Sequence, residues 1–194
     1  MDTGCPFQML LAIRRIGARR MEAAFGAGTL EASAPGGRVP VAASSILSEI
    51  AEMADHALRG QAVSLAGLRV MVATSDVHEH GKMLVEEVLR RSGAVVLDGG
   101  VSTEPGVLAE RVRAEKPDAV AISTYNGVAL GYFTALREAG VDVPVLIGGR
   151  LNQIPEGSNS SLPVDVGDEL AAAGAVVCRE AAELVPRLAR QRRG

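Results

Sequence analysis

The chain has 194 residues and a mass of 20.1 kDa, with 47% hydrophobic and 22% charged residues and a net charge of −3. That is enough apolar side chain for a packed core, which excludes an intrinsically disordered chain, and the slightly acidic balance offers no electrostatic footprint for nucleic acid or an anionic membrane. With aromatics at 3% and no Trp, the core must be built from Ala, Val, Leu and Ile, and a base-stacking surface for single-stranded nucleic acid is not expected.

Taken in chain order, residues 6–25 carry Leu10, Leu11, Ile13, Ile16, Met21 and Phe25 on a rough helical period. Residues 26–40 are rich in Gly and Pro and read as a loop. A second helix is predicted from Ser44 or Ser45, with Glu49 placed for a capping box. Its apolar stripe is Ile46, Ile50, Met53 and Ala57. Uninterrupted apolar runs fall short of a bilayer span, and Arg14 and Arg15 break the early apolar stretch. Neither a transmembrane segment nor a signal peptide is therefore expected. Cys5 and Cys178 make neither a disulfide framework nor a CxxC metal pair, so the expected location is cytoplasmic.

From Leu68 the pattern changes to short β-branched runs alternating with helical periods. Strands are predicted at 69–74, 94–97, 118–122, 143–147 and 175–178. Helices are predicted at 80–91, 104–116, 129–139, 168–172 and 181–191, with an irregular loop over 150–163. This alternation implies parallel βαβ units with right-handed crossovers. The expected fold is α/β: a flavodoxin-like (Rossmann-like) doubly wound five-stranded parallel sheet behind an N-terminal helical extension. The expected division is 1–66 for the extension and 67–194 for the α/β domain. The basic run Arg187, Arg190, Arg192 and Arg193 reads as a solvated last turn matched to the helix dipole.

Open α/β sheets bind ligands beyond the carboxyl ends of their strands. After the first strand comes Ser75-Asp76-Val77-His78-Glu79-His80-Gly81-Lys82. Asp76 and His78 are two apart in a loop, so the carboxylate can fix the imidazole tautomer and leave the other nitrogen for a metal. Gly81 opens the next helix without a side chain and leaves room for a bulky group there. After the third strand comes Ser123-Thr124-Tyr125-Asn126-Gly127, and after the fourth Gly148-Gly149. Three strand ends agree on a large ligand needing a histidine, glycine clearance and hydroxyls. The D-x-H-x-x-G spacing alone arises by chance in roughly one chain in fifty, so the weight rests on the combination.

Each residue also has a plainer reading. His78 could be a capping or surface histidine. His80, without an Asp two residues upstream, reads as solvent-facing on the first helical turn. His56 reads as a helix C-terminal cation. Gly26-Ala27-Gly28 follows a helix and has Glu31 where a dinucleotide fingerprint needs a third Gly. Cys178 reads as small core filler, and Asn152 and Gln153 as a polar loop or a ligand edge.

Asp76-x-His78-x-x-Gly81, Ser123-x-Tyr125 and Gly148-Gly149, in this order at successive strand ends, resemble the cobalamin (vitamin B12)-binding domain family. Its pattern is D-x-H-x-x-G, then S-x-L, then G-G. The resemblance covers about Leu68 to Leu188. Tyr125 departs from the usual Leu, which would alter packing of the buried nucleotide tail. Cys178-Arg179 stands where mutase relatives often carry a Gly-rich turn.

The resemblance implies a cofactor site of Ser75, Asp76, Val77, His78, Gly81, Ser123, Tyr125, Gly148 and Gly149, with no catalytic residue of its own. His78 would ligate the cobalt of cobalamin in place of the cofactor's dimethylbenzimidazole, and Asp76 would hydrogen-bond His78. The displaced nucleotide tail would enter beside Gly81, meet Ser123 and pass Gly148 and Gly149. Only neutral imidazole ligates, so binding would weaken in acid. Since the chain resembles no substrate barrel, a separate catalytic subunit is implied. The first expectation is the small subunit of an adenosylcobalamin-dependent radical mutase of the methylmalonyl-CoA mutase type. It rests on an N-terminal stretch of about two helices, where corrinoid methyltransferase proteins usually carry a four-helix bundle. The alternatives are a corrinoid methyl carrier using methylcobalamin, which the D-V-H-x-x-G-K form favours, or a non-enzymatic cobalamin sensor. The N-terminal helices would dock on the partner or form a homo-oligomer. Nucleic acid and membrane are not expected partners.

Overall fold

The structure, a computed structural model, describes residues 41–155 and 162–192. The predicted helix at 6–25, the link at 26–40 and Arg193 lie outside the described residues. In chain order the elements begin with α1 (Val41–Leu58), β1 (Arg69–Thr74), α2 (Glu79–Arg91), β2 (Val95–Gly100) and α3 (Pro105–Glu115). They continue with β3 (Ala119–Thr124), α4 (Ala129–Glu138), β4 (Val145–Gly149), β5 (Asn152–Gln153) and β6 (Val164–Asp165). The last are α5 (Gly167–Ala172), β7 (Val176–Cys178), a 3-10 turn (Ala181–Glu183) and α6 (Leu184–Gln191).

Five strands form one parallel sheet in the order β2-β1-β3-β4-β7, the flavodoxin-like order. Helices cover both faces, which is why β1 and β3 are buried along almost their whole length. On one face Val70, Val72, Ala121 and Leu146 lie beneath α1, α2 and α6 through Ile50, Leu84, Val88, Leu89 and Leu188. On the other, Met71, Ile122 and Ile147 meet α3, α4 and α5 through Leu108, Phe133, Leu136 and Leu170.

The differences from expectation are local. Helix α1 starts at Val41, so neither Ser44 nor Ser45 stands at its cap. Its buried stripe is Ile50, Ala54 and Ala57, while Ile46 is 44% and Met53 39% exposed. The small Ala54 faces the domain, and the contact face turns toward it. Strand β2 runs on through Asp98-Gly99-Gly100, because Gly99 fits against β1; a Cβ there would fall 2.8 Å from the Cβ of Ala73. The loop predicted over 150–163 contains β5, which pairs antiparallel with β6. The last predicted helix opens as a 3-10 turn with a Glu180–Glu183 capping box. Lys82 ties α2 to β2 by pairing with Glu86 and, at 2.9 Å, with Asp98. Burial works to lower the pKa of its ammonium, but the two carboxylates outweigh this and raise it.

Candidate functional site

Parallel register aligns Thr74, Ser123, Gly148 and Cys178 in one row across the carboxyl edge of the sheet. In a strand only alternate residues share a face, so this row of short side chains all faces α2 and α6. Their small size leaves an apolar cleft between sheet and helices. Gly81, Leu84 and Val85 line it from α2, Ser123, Gly148 and Gly149 from the sheet, and Arg179, Ala181 and Leu184 from the far side. Gly81 keeps this wall open, since a Cβ there would fall 2.3 Å from Ser123 Oγ. At Gly148 a Cβ would fall 2.8 Å from the Cys178 carbonyl oxygen.

At the upper end of β1 the buried carboxylate of Asp76 organises the loop. Its Oδ1 accepts the His78 backbone N–H at 2.8 Å and lies 2.8 Å from His78 Nδ1, while Oδ2 accepts the Tyr125 N–H at 2.7 Å. One carboxylate thus fixes the His78 backbone, its ring and the loop after β3. The His78 side chain is 47% exposed, and with Nδ1 engaged its Nε2 is the ring nitrogen left for another partner. The Tyr125 ring packs against the imidazole at a centroid distance of 4.3 Å, and the Arg150 guanidinium lies 4.3 Å over the tyrosine ring. Thr74 supports the turn from below: its hydroxyl donates to the Asp76 carbonyl and accepts the Ser102 N–H at 3.1 Å.

The structure brings Asp76, His78 and Tyr125 into direct contact and sets Gly81, Ser123, Gly148 and Gly149 around the cleft. It does not put all the expected residues on one surface. Ser75 follows Thr74 on the strand and so faces the opposite way, into a groove with Ser102, Glu104, Tyr132 and Gln153. Val77 is exposed at the loop tip, and Tyr125 lies against His78, outside the cleft lining where a tail-packing role would put it. His80 is exposed on α2 and His56 lies in the last turn of α1. Gln153 accepts the Gly131 N–H at 3.0 Å. The hydroxyls of Ser75 and Thr124 are buried without a hydrogen-bond partner among the described residues. Thr74, Arg150 and the cleft-lining Leu84, Val85 and Leu184 carry no site signal in the sequence, and Arg179 shows there only as a departure from the family's Gly-rich turn. The leucines and Val85 carry only an ordinary core signal there.

Cys178 lines the cleft, and burial pushes its thiol up to about 11. In a Cys5→Ser background it is expected to react with a disulfide reagent at pH 8 roughly a hundredfold more slowly than an exposed thiol. Reaction at the exposed-thiol rate would show that the cleft wall opens.

The arrangement suits a bulky ligand with an apolar limb and a metal that takes one imidazole. The glycine clearances leave it room. A B12 binding domain family model matches residues 68–187. Among solved structures, a cobalamin-binding protein from Desulfitobacterium hafniense aligns at 25% identity with a TM-score of 0.50, over 64% of this chain and 59% of that one. The monomethylamine corrinoid protein of Methanosarcina barkeri aligns at 16% identity and a TM-score of 0.50, over 77% and 65%. The methanol:cobalamin methyltransferase complex of the same organism aligns at 23% identity and a TM-score of 0.49, over 68% and 48%. The chain spans less than two thirds of each of these solved chains.

Proposed function

The chain belongs to the B12-binding domain family and is a cobalamin-binding domain, and from that premise we propose that it holds the cofactor with its own base displaced and His78 as lower cobalt ligand. When bound, cobalamin supplies a cobalt–carbon bond that can be broken and remade; this chain's residues bind and orient. The carrying observation is the Asp76–His78 pair. Asp76 engages Nδ1 at 2.8 Å, fixes the imidazole plane and directs Nε2 outward as the ligating nitrogen. Gly81, Ser123, Gly148 and Gly149 shape the cleft for the nucleotide tail, with Leu84 and Leu184 as its apolar walls. Ser75, Val77 and Tyr125 complete the cofactor contacts around the loop.

The reaction belongs to a separate catalytic polypeptide that presents the substrate. The first reading is the cofactor-carrying subunit of an adenosylcobalamin-dependent radical mutase, working in the cytoplasm. A second reading, a methyl carrier using methylcobalamin, is favoured by the string from Asp76 to Lys82, whose lysine is built into the α2–β2 contact. Among the described residues no helix is long and apolar enough to cross a membrane.

Titration with hydroxocobalamin, followed by visible spectroscopy, tests the site. The wild type is expected to give a histidine-ligated, base-displaced spectrum that His78→Ala loses. An unchanged spectrum on mixing would refute the site. Reconstitution then separates the two readings. Rearrangement with a barrel subunit and adenosylcobalamin supports the mutase, and methyl uptake after reduction supports the carrier.

A further inference from the structure

Arg179 stands where two hollows meet. One is the apolar cleft; the other is a polar hollow of about 260 Å³ formed by Gly149, Arg150, Leu151, Asn152, Asp165 and Arg179. The guanidinium forks onto Asp165, with Nη1 at 3.1 Å from Oδ2 and Nη2 at 3.2 Å from Oδ1. It lies close over the start of α5, where a Cβ on Gly167 would fall 2.5 Å from Nη2. Asp168 is a more distant partner at 3.9 Å. The Arg179 and Asp165 side chains are 53% and 61% exposed, so water competes for both, and such a pair is readily exchanged for another. Arg150 shares the rim with Arg179 and Asp165, while Glu183, which accepts the Arg179 backbone N–H, is itself paired with Arg187.

We propose that Arg179 recognises the phosphodiester of the cofactor's nucleotide tail, making the domain selective for complete cobalamins over corrinoids that lack the nucleotide. The inference rests on the base-displaced reading above. Displacing the base brings an aromatic base, a ribose and a singly charged phosphodiester to the protein together. The base suits a cleft walled by Leu84, Val85 and Leu184, but the anion does not: a charge leaving water must be paired. Arg179 is the cation among the described residues lining that cleft, where the carboxylate of neighbouring Glu180 is turned to cap the 3-10 turn, and its planar fork matches two phosphate oxygens as well as it matches Asp165. Asp165 would hold the fork in place until the tail arrives.

The test compares hydroxocobalamin with cobinamide, which has no nucleotide or phosphodiester, on the full chain. Arg179→Ala is expected to weaken hydroxocobalamin binding about tenfold or more, the range of a charged hydrogen bond, and to flatten its salt dependence. Asp165→Asn, which frees the guanidinium, is expected to leave that affinity unchanged or tighter. Cobinamide affinity is expected to be the same in Arg179→Ala as in the wild type. Unchanged hydroxocobalamin affinity in Arg179→Ala would overturn the inference. So would equal weakening by Arg179→Ala and Asp165→Asn, which would make the pair a structural tie, or a parallel loss of cobinamide affinity. A wild type that binds neither corrinoid would instead refute the underlying cobalamin site.

Discussion

Gly149→Ala is expected to destabilise the domain by about 3 kcal/mol or more, combining backbone strain with a contact that cannot relax. Gly149 has φ +96°, a conformation that side chains with a Cβ rarely adopt, and a Cβ there would fall 2.4 Å from the Thr124 carbonyl oxygen. That carbonyl is itself held, accepting the Arg150 N–H at 2.8 Å, and Thr124 pairs with Gly149 in the β3–β4 register. Moving either backbone would open the central sheet at the mouth of the cleft. Gly140→Ala supplies the control: φ there is +83°, yet nothing lies within 4 Å of the added Cβ. Strain alone should cost it about 1 kcal/mol. Urea unfolding of the two variants isolates the clash, and equal losses would show that the Thr124 contact is not what requires glycine.

Asp76→Ala is expected to lower stability by about 2–4 kcal/mol and, independently, to weaken cobalamin binding ten- to a hundredfold. The stability loss follows from burial. The side chain is 4% exposed, and its removal strands the His78 and Tyr125 backbone N–H groups that it accepts at 2.8 and 2.7 Å. The binding loss follows from the ring, since nothing else described holds His78 Nδ1. Asp76→Asn separates the two effects. An amide oxygen can still accept one of the backbone donors, so much of the fold's stability should return. Its NH2 group cannot accept the Tyr125 N–H, and a neutral amide polarises the His78 ring less than a carboxylate does, so cofactor affinity should recover less than stability. Equal recovery of stability and cofactor affinity in Asp76→Asn would show that the carboxylate acts on the loop alone.

The fold was legible because parallel strands covered on both faces read as continuous apolar runs, and the helices between them keep a clear period. Elements of two residues carry no period, which is why β5 falls inside the predicted loop and β6 has no predicted element. The face of α1 turned because Ala54 lets the helix approach where Met53 would not, a decision taken by the sheet-covering surface and not by the helix. At the site, the spacing of Asp76 and His78 suffices for their pairing, since two loop residues that close meet with little help from the rest of the chain. Their link to Tyr125 spans 49 positions and exists only once β1 and β3 are side by side. Strand parity could have set Ser75 apart from Ser123: Thr74 is the residue in register with Ser123, so its successor must face away. Arg179 shows in the sequence only as a departure from a Gly-rich turn; its pairing is hidden there because its partner, Asp165, comes from a strand of two residues.

The most direct test of the account is the electron paramagnetic resonance spectrum of the cob(II)alamin-loaded protein, prepared with nitrogen-15-labelled histidine and an unlabelled cofactor. An axial nitrogen splits the cobalt lines, as a triplet for nitrogen-14 and as a doublet for nitrogen-15. Lower ligation by His78 predicts doublets in the labelled wild type, with the nitrogen splitting absent in labelled His78→Ala. Triplets in the labelled wild type would mean that the cofactor's own base still holds the cobalt, and would contradict the role assigned here to His78, Asp76 and the cleft.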